Sequence, residues 1–369
     1  MILSENLIKV LKKNNISFFT GVPDSILSNF SNNIESLKKN KHIIASNEGT
    51  AVSIGIGYYL STKKIPCVYM QNSGLSNAIN PLISIANKKV YSIPLFLLIG
   101  WRGSPNQNDE PQHKEKGKIT RELLKLLKIK YCILRNNKDL LNIPRLIKDC
   151  KKKENIVACL IEKGTLNTKK KKKKIKSNKL ILRAKFIEKF LELVPEKSKI
   201  VSTTGYTSRE LFQIRKNLKI KKARDFYMVG GMGHTSSVAT GFSINTKKQI
   251  FCLDGDGSVL MHLGALSTVG NLKRKNLKHI ILNNNCHESV GGQPTGAEKI
   301  DFLGLSKSLG YKNYFCLDNE KKLKNYITKF IKSSGPSLLE VRIKKESLMN
   351  LSRPKDLIYI KNNFMKNNE

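Results

Sequence analysis

Short apolar runs alternate with stretches of helical period on both sides of a block of lysines, and this leaves the chain few ways to fold. Ile16-Ser17-Phe18-Phe19, His42-Ile43-Ile44-Ala45, Val68-Tyr69-Met70 and Pro94-Leu95-Phe96-Leu97-Leu98-Ile99 are too short and too uniformly apolar for surface helices. Each reads as a strand buried on both faces. Between them Leu3, Leu7, Ile8, Val10 and Leu11 recur at helical spacing, and helices are predicted near Ile26 to Leu37 and from Gly49 to Leu60. That alternation builds a parallel sheet with helices on both faces. The same pattern resumes with strands at Lys199 to Ser202, Ile250 to Leu253, His279 to Leu282 and Ser337 to Arg342, and helices over Ser208 to Asn217 and His262 to Gly270. Between the two series stand six consecutive lysines, Lys169 to Lys174. Like charges repel and keep such a block extended, so it marks a domain boundary. With 369 residues, the chain also exceeds the roughly 250 to 300 at which one core stops growing. The expected fold class is α/β, with two doubly wound parallel-sheet domains over 1–165 and 180–369 joined by a Lys-rich linker over 166–179.

Lysine and arginine outnumber aspartate and glutamate 67 to 28, a formal net charge of +39, which raises the question of nucleic acid, membrane surface or acidic ligand. The lysines fall largely on polar helix faces and in loops, with no zinc-finger spacing and no arginine stripe interleaved with aromatics. A solvated surface therefore fits better than a nucleic-acid or membrane partner. A basic nucleic-acid-binding protein remains the alternative from a different class, and it predicts one continuous lysine face and binding that weakens steeply with salt. The cysteines are scattered singly inside apolar runs such as Ile250-Phe251-Cys252-Leu253, as small core residues in a reducing compartment are. Met1 to Leu11 lacks a basic region followed by an apolar one, and no apolar run approaches the roughly 18 residues of a membrane span. A cytoplasmic location is expected.

The chemistry is concentrated between Lys248 and His287. A strand ends in Asp254-Gly255-Asp256-Gly257-Ser258, and after a helix the next strand ends in Leu282-Asn283-Asn284-Asn285. Open parallel sheets bind ligands outside the carboxyl ends of their strands, where glycines let backbone approach a phosphate and a helix start offers free N–H groups. Asp256 and Asn284 add hard oxygen donors of the kind that, with phosphate oxygens, suit magnesium. Competing motifs fail: an EF-hand needs glutamate where Ala265 stands, a P-loop needs Ser or Thr at Ile119, and a dinucleotide turn needs a small residue at Leu260.

Gly255-Asp256-Gly257 followed by Asn283-Asn284 resembles the cofactor signature of the thiamine-diphosphate-dependent enzymes. The resemblance implies that Asp256, Asn284 and the backbone carbonyl of Cys286 hold Mg2+, and that Ser258 helps bind a phosphate oxygen. It implies that Glu48, in Asn47-Glu48-Gly49, hydrogen-bonds the pyrimidine ring and drives deprotonation of the thiazolium. Taken alone, Glu48 reads as a first-turn carboxylate complementing a helix dipole, with Asn47 as the cap. Met232, flanked by Gly231 and Gly233 and followed by His234, matches the apolar residue over which such enzymes bend the cofactor. Further strings narrow the resemblance to the phosphonopyruvate decarboxylases: Gly21-Val22-Pro23-Asp24-Ser25, Gln71-Asn72-Ser73-Gly74-Leu75, Gly100-Trp101-Arg102-Gly103, Asp109-Glu110-Pro111-Gln112-His113, Thr204-Gly205-Tyr206-Thr207-Ser208-Arg209-Glu210-Leu211 and His287-Glu288-Ser289-Val290-Gly291-Gly292-Gln293-Pro294-Thr295. Each string is weak, but their order is specific and runs from Leu3 to about Arg342. Ser73 and Gly74 are carried over as cofactor-binding positions.

The family fold is a pyrimidine-binding and a diphosphate-binding domain, here without the middle domain of larger relatives. The implied reaction is 3-phosphonopyruvate to phosphonoacetaldehyde and carbon dioxide. A substrate carrying a carboxylate and a phosphonate calls for charge-assisted donors, for which Arg102, Arg209, His113, His234 and His287 are candidates. His113 or His287 could also move protons, and Asp24 is expected to orient a cation. The family further implies a homodimer or larger homo-oligomer with the site at the subunit interface. Sulfopyruvate decarboxylase, with sulfonate for phosphonate, is the nearest rival.

Overall fold

The computed structural model describes residues 1–105, 107–169, 180–218 and 225–366. They form two units, Met1–Lys173 with Val290–Gln293, and Lys174–Ser289 with Pro294–Glu369. The linker expected over 166–179 lies outside the described residues from 170 onward. Its first residues are not extended linker, because Leu166 and Asn167 pair in parallel with Ile2 and Leu3.

In the first unit the strands are β1 (Ile2–Leu3), β2 (Phe19–Gly21), β3 (His42–Ile44), β4 (Cys67–Gln71), β5 (Leu95–Trp101), β6 (Lys130–Leu134), β7 (Ile156–Glu162) and β8 (Leu166–Asn167). The main sheet is parallel throughout, in the order β3-β2-β4-β5-β7-β6. Successive side chains of a strand point to opposite faces, and β5 shows what that does in a sheet covered twice. Phe96 and Leu98 enter one core with Phe19, Phe30 and Val157, whereas Leu95, Leu97 and Ile99 enter another with Val52, Ile56 and Leu124. Deleting a side chain such as Leu97 would cost about 2–5 kcal/mol. The helix Glu48–Thr62 lays Glu48, Ala51, Val52, Gly55 and Ile56 on its buried stripe, so the carboxylate of Glu48 is carried inward by the same spacing that buries its apolar neighbours.

The second unit has β9 (Lys199–Ser202), β10 (Asp225–Tyr227), β11 (Ile250–Gly255), β12 (Leu277–Asn283), β13 (Asn313–Leu317) and β14 (Ser337–Arg342), parallel and ordered β10-β9-β11-β12-β14-β13. Numbered from β2 in one sheet and β9 in the other, both run 2-1-3-4-6-5. Two doubly wound α/β domains are thus borne out, each with a topological switch point between its first and third strands. Besides the two-residue β1 and β8 and the apolar run of β7, the strands not expected from the sequence are β6, β10 and β13, each short and opening on a polar residue, Lys130, Asp225 and Asn313. All three are sheet edges, where one side of the strand is unpaired and polar residues are tolerated. No described helix is long and apolar enough to cross a membrane.

Candidate active site

At the carboxyl end of β11 the helix Asp256–Met261 begins at Asp256 itself, inside the glycine turn rather than after it, stops at His262 (φ −135°, ψ 54°) and resumes over Ala265–Asn271. Asp256 is buried, and its carboxylate accepts a hydrogen bond from Thr295 Oγ1 at 2.5 Å, with the nearby backbone N–H of Asn284 also favouring its charge. Burial pushes its pKa up to about 6, against those contacts. Asn284 thus meets Asp256 through its backbone, while its carboxamide is engaged by other groups. Asn284 Oδ1 also accepts from the Cys286 N–H at 3.1 Å, and its Nδ2 donates to Glu288 at 2.9 Å. The Cys286 thiol is pushed up to about 12 by burial, so it is a protonated core group, which leaves only the carbonyl of that residue as a candidate ligand. Asp254 belongs elsewhere: it accepts from the Gly255 N–H at 2.9 Å and lies 3.7 Å from buried His279.

Ser258 Oγ accepts from the Gly233 N–H at 3.1 Å and from Thr203 Oγ1 at 3.0 Å. A hydroxyl with both acceptor positions used still has its own proton to donate, which suits a phosphate oxygen. Nothing lies within 4 Å of a Cβ built on Gly255, whereas one on Gly257 would sit 2.9 Å from the His287 ring. His287 is thus packed against the turn, and burial pushes its pKa down to about 4, which keeps the ring neutral at ordinary pH. Gly231 (φ 63°) and Gly233 (φ 92°) hold a left-handed backbone around half-buried Met232, and a Cβ on Gly233 would lie 2.4 Å from His262. His234 is exposed and stacks on His262, ring centroids 4.4 Å apart. Arg209, half-buried on the helix Tyr206–Asn217, places its guanidinium 5.8 Å from the centre of the Tyr206 ring.

In the first unit Glu48 is buried and starts its helix behind the Asn47 cap, whose Oδ1 accepts from the Thr50 N–H at 2.8 Å. Asn77 Nδ2 donates to Glu48 Oε2 at 2.9 Å, and desolvation outweighs this bond to raise the carboxyl pKa. A Cβ on Gly74 would fall 2.1 Å from Glu48 Oε1, so the glycine carried over as cofactor-binding makes room for the carboxylate. Ser73 Oγ accepts from Gln71 at 2.6 Å.

A second group surrounds Arg102. Its Nε donates to Asp109 at 2.6 Å, its Nη2 to the other oxygen of Asp109, and its Nη1 to Ser25 at 3.2 Å. Three of the five guanidinium donors are thereby engaged, leaving two N–H groups with no bond among the described residues. Burial opposes ionisation of Asp109, but the bonds and charge of Arg102 outweigh it and hold the carboxyl below the usual range. Asp24 is fully buried, accepts from the Ile26 and Leu27 N–H groups at 3.1 Å each, and rests on Gly100. Burial raises its pKa to about 6, with the charge of Arg102 opposing. The residue that grips Arg102 is therefore Asp109, and Asp24 acts on it only through charge. His113 lies in the first turn of the helix Pro111–Leu126, its carbonyl against Gly103 (φ 66°). No role follows from the sequence for Asn77, Thr203 or Thr295, which lie far along the chain from the groups they contact, nor for Asp109 and Glu288, whose partners Arg102 and Asn284 are near but in no recognisable motif.

The two halves match two family descriptions in register with this chemistry. Residues 1–123 match the thiamine pyrophosphate enzyme N-terminal TPP binding domain, and residues 203–341 the C-terminal TPP binding domain. The fold and site thus define an enzyme that uses thiamine diphosphate. Phosphonopyruvate decarboxylase of Streptomyces viridochromogenes is 31% identical over 96% of this chain and 92% of its own length. Sulfopyruvate decarboxylase of Methanosarcina acetivorans is 25% identical over 92% and 91%. Sulfopyruvate decarboxylase subunit beta of Methanocaldococcus jannaschii is 40% identical over 32% of this chain and 60% of that subunit. The chain belongs to the phosphonopyruvate decarboxylase family of thiamine pyrophosphate enzymes, and is a decarboxylase of the phosphonopyruvate or sulfopyruvate type.

Proposed function

We propose that the protein decarboxylates 3-phosphonopyruvate to phosphonoacetaldehyde, with thiamine diphosphate and Mg2+, as a step of phosphonate biosynthesis. The observation that carries this reading is the similarity to a phosphonopyruvate decarboxylase along nearly the whole of both chains. The residues present fit the cofactor: a buried carboxylate at one strand end, a carboxamide at the next, a serine with a proton to donate, and an open glycine, Gly255, just before the carboxylate. When bound, thiamine diphosphate supplies the electron sink that a 2-oxo acid lacks as carbon dioxide leaves.

The remaining work falls to side chains of this protein. Asp256, Asn284 and the carbonyl of Cys286 hold the cation, while Gly255, Gly257 and Ser258 take the diphosphate. Met232, Gly233 and His234 support the thiazolium side. Glu48, its pKa raised by burial, hydrogen-bonds the pyrimidine ring, and Ser73 and Gly74 line that side. The doubly charged substrate is met by the two remaining N–H groups of Arg102, by Arg209, and by Asp24 through its charge on Arg102. His113 holds or moves a proton near the substrate. His287, neutral and against Gly257, serves as a hydrogen-bonding ring at the diphosphate end rather than as a charged acid. A homodimer or larger homo-oligomer is the proposed working form.

The test is release of phosphonoacetaldehyde from the purified protein, with and without thiamine diphosphate and magnesium, in parallel with sulfopyruvate and pyruvate. Turnover of pyruvate equal to that of phosphonopyruvate removes the substrate assignment. Preference for sulfopyruvate establishes the second reading, which is supported by the full-length Methanosarcina relative.

A further inference from the structure

Behind Asn284 lies a chain of charged groups that the reaction does not itself use. Asn284 Nδ2 donates to Glu288 Oε2 at 2.9 Å, and the same oxygen accepts from Arg183 Nη2. Arg183 opens the helix Arg183–Leu193, and its Nη1 lies 3.5 Å from Glu210 Oε2. Glu210 in turn accepts from the Leu348 N–H at 2.9 Å. The side chains of Arg183, Glu210 and Glu288 are 5%, 0% and 12% exposed, so little water competes with the bonds that Glu288 accepts.

A carboxamide is nearly symmetrical in shape, and only its hydrogen-bond partners decide which end is oxygen. At Asn284 two partners agree. A carboxylate can only accept, so Glu288 takes the NH2 end, and the Cys286 N–H can only donate, so it takes the oxygen end. An NH2 group turned toward a cation would repel it. We propose that Glu288 and Arg183 are positioning residues for the cation site, Glu288 fixing the sense of the Asn284 amide and Arg183 fixing Glu288. The proposal rests on the reading of Asn284 as a cation donor.

The cation site itself supplies the test. Purified full-length protein with saturating thiamine diphosphate is titrated with magnesium by calorimetry, and turnover is followed against magnesium concentration. Losing an outer partner of a metal site costs about tenfold to a hundredfold in affinity. Glu288→Gln and Arg183→Met should each raise the magnesium needed for half-saturation by about tenfold or more, with turnover recovering as magnesium is raised. Arg183→Lys, which keeps one charge-assisted bond, should recover part of the loss. Magnesium binding as tight as wild type in both Glu288→Gln and Arg183→Met, or tighter in Arg183→Met, overturns the proposal, the second result because a freed Glu288 would then be a ligand. Thermal melting identifies a variant that fails to fold, in which case the other variant decides. Asp256→Ala is the control for the underlying reading: if it binds magnesium like wild type, the cation site itself is wrong, whatever the other variants do.

Discussion

In the first domain the third strand, β4, runs into Asn72-Ser73-Gly74, and in the second the third strand, β11, runs into Asp256-Gly257-Ser258. Both turns stand beside the switch point of a 2-1-3-4-6-5 sheet. In the first, the turn carries no charge, and its glycine clears space for a carboxylate that arrives from the neighbouring helix, Glu48. In the second, the carboxylate is in the turn itself, Asp256, and the glycine is packed against His287 and Thr295. The difference teaches that topology fixes where a ligand can sit, while the residues at the strand ends decide what happens there. One domain presents a buried acid poised to share a proton, and the other presents oxygens and N–H groups that hold charge.

The largest expected effect separates these two tasks. Glu48→Gln should lower kcat by about a thousandfold, within the range of acid–base groups, with thiamine diphosphate still bound, whereas Asp256→Ala should lose the cofactor. Calorimetric titration of both variants checks this, and equal loss of cofactor affinity would erase the contrast.

Next is pH. Asp24 in one domain and Asp256 in the other are both buried carboxylates raised from 3.8 to about 6. Stability that each contributes below its unfolded value is lost as pH rises through about 6, because the buried charge becomes costly. A shift of this size corresponds to at most about 3 kcal/mol per group. Asp24→Asn should therefore gain on wild type between pH 4 and pH 8 with or without magnesium, since its cation, Arg102, is built in. Asp256→Asn should gain only without magnesium. Urea unfolding at the two pH values measures both.

A smaller effect is expected from Gly74→Ala, whose Cβ would strike Glu48 and displace the acid. A misplacement of about an ångström costs about a hundredfold in kcat, and cofactor affinity should be unchanged. An unaltered kcat would mean that Glu48 needs no such clearance. Least affected should be the substrate step: Arg102→Leu should raise KM for phosphonopyruvate about tenfold, as loss of a charged hydrogen bond does, with Asp109→Asn raising it less. An unchanged KM in Arg102→Leu would remove that residue from the phosphonate site.

Much of this fold is legible in the chain because a doubly covered parallel sheet writes itself as uninterrupted apolar runs, such as Leu95 to Ile99 and Ile250 to Leu253. The edges β6, β10 and β13 are less so, since each is short and opens on a polar residue, Lys130, Asp225 or Asn313, as a strand with one free side can. Asp256 and Asn284 were readable because they sit at fixed offsets on two successive strands. Asn77 and Glu48, or Arg183 and Glu288, have no such relation along the chain.

The amino-acid order by itself determined two parallel α/β domains, a phosphate-approaching turn and the residue types offered at it, because strand periodicity and turn chemistry are local and repeat in sequence. Only the tertiary structure decided that Asp109 rather than Asp24 grips Arg102, that His287 is a buried neutral ring, and that Asn284 is held by Glu288. Burial and hydrogen-bond partnership depend on which distant segments meet, and these are what set charge state and orientation.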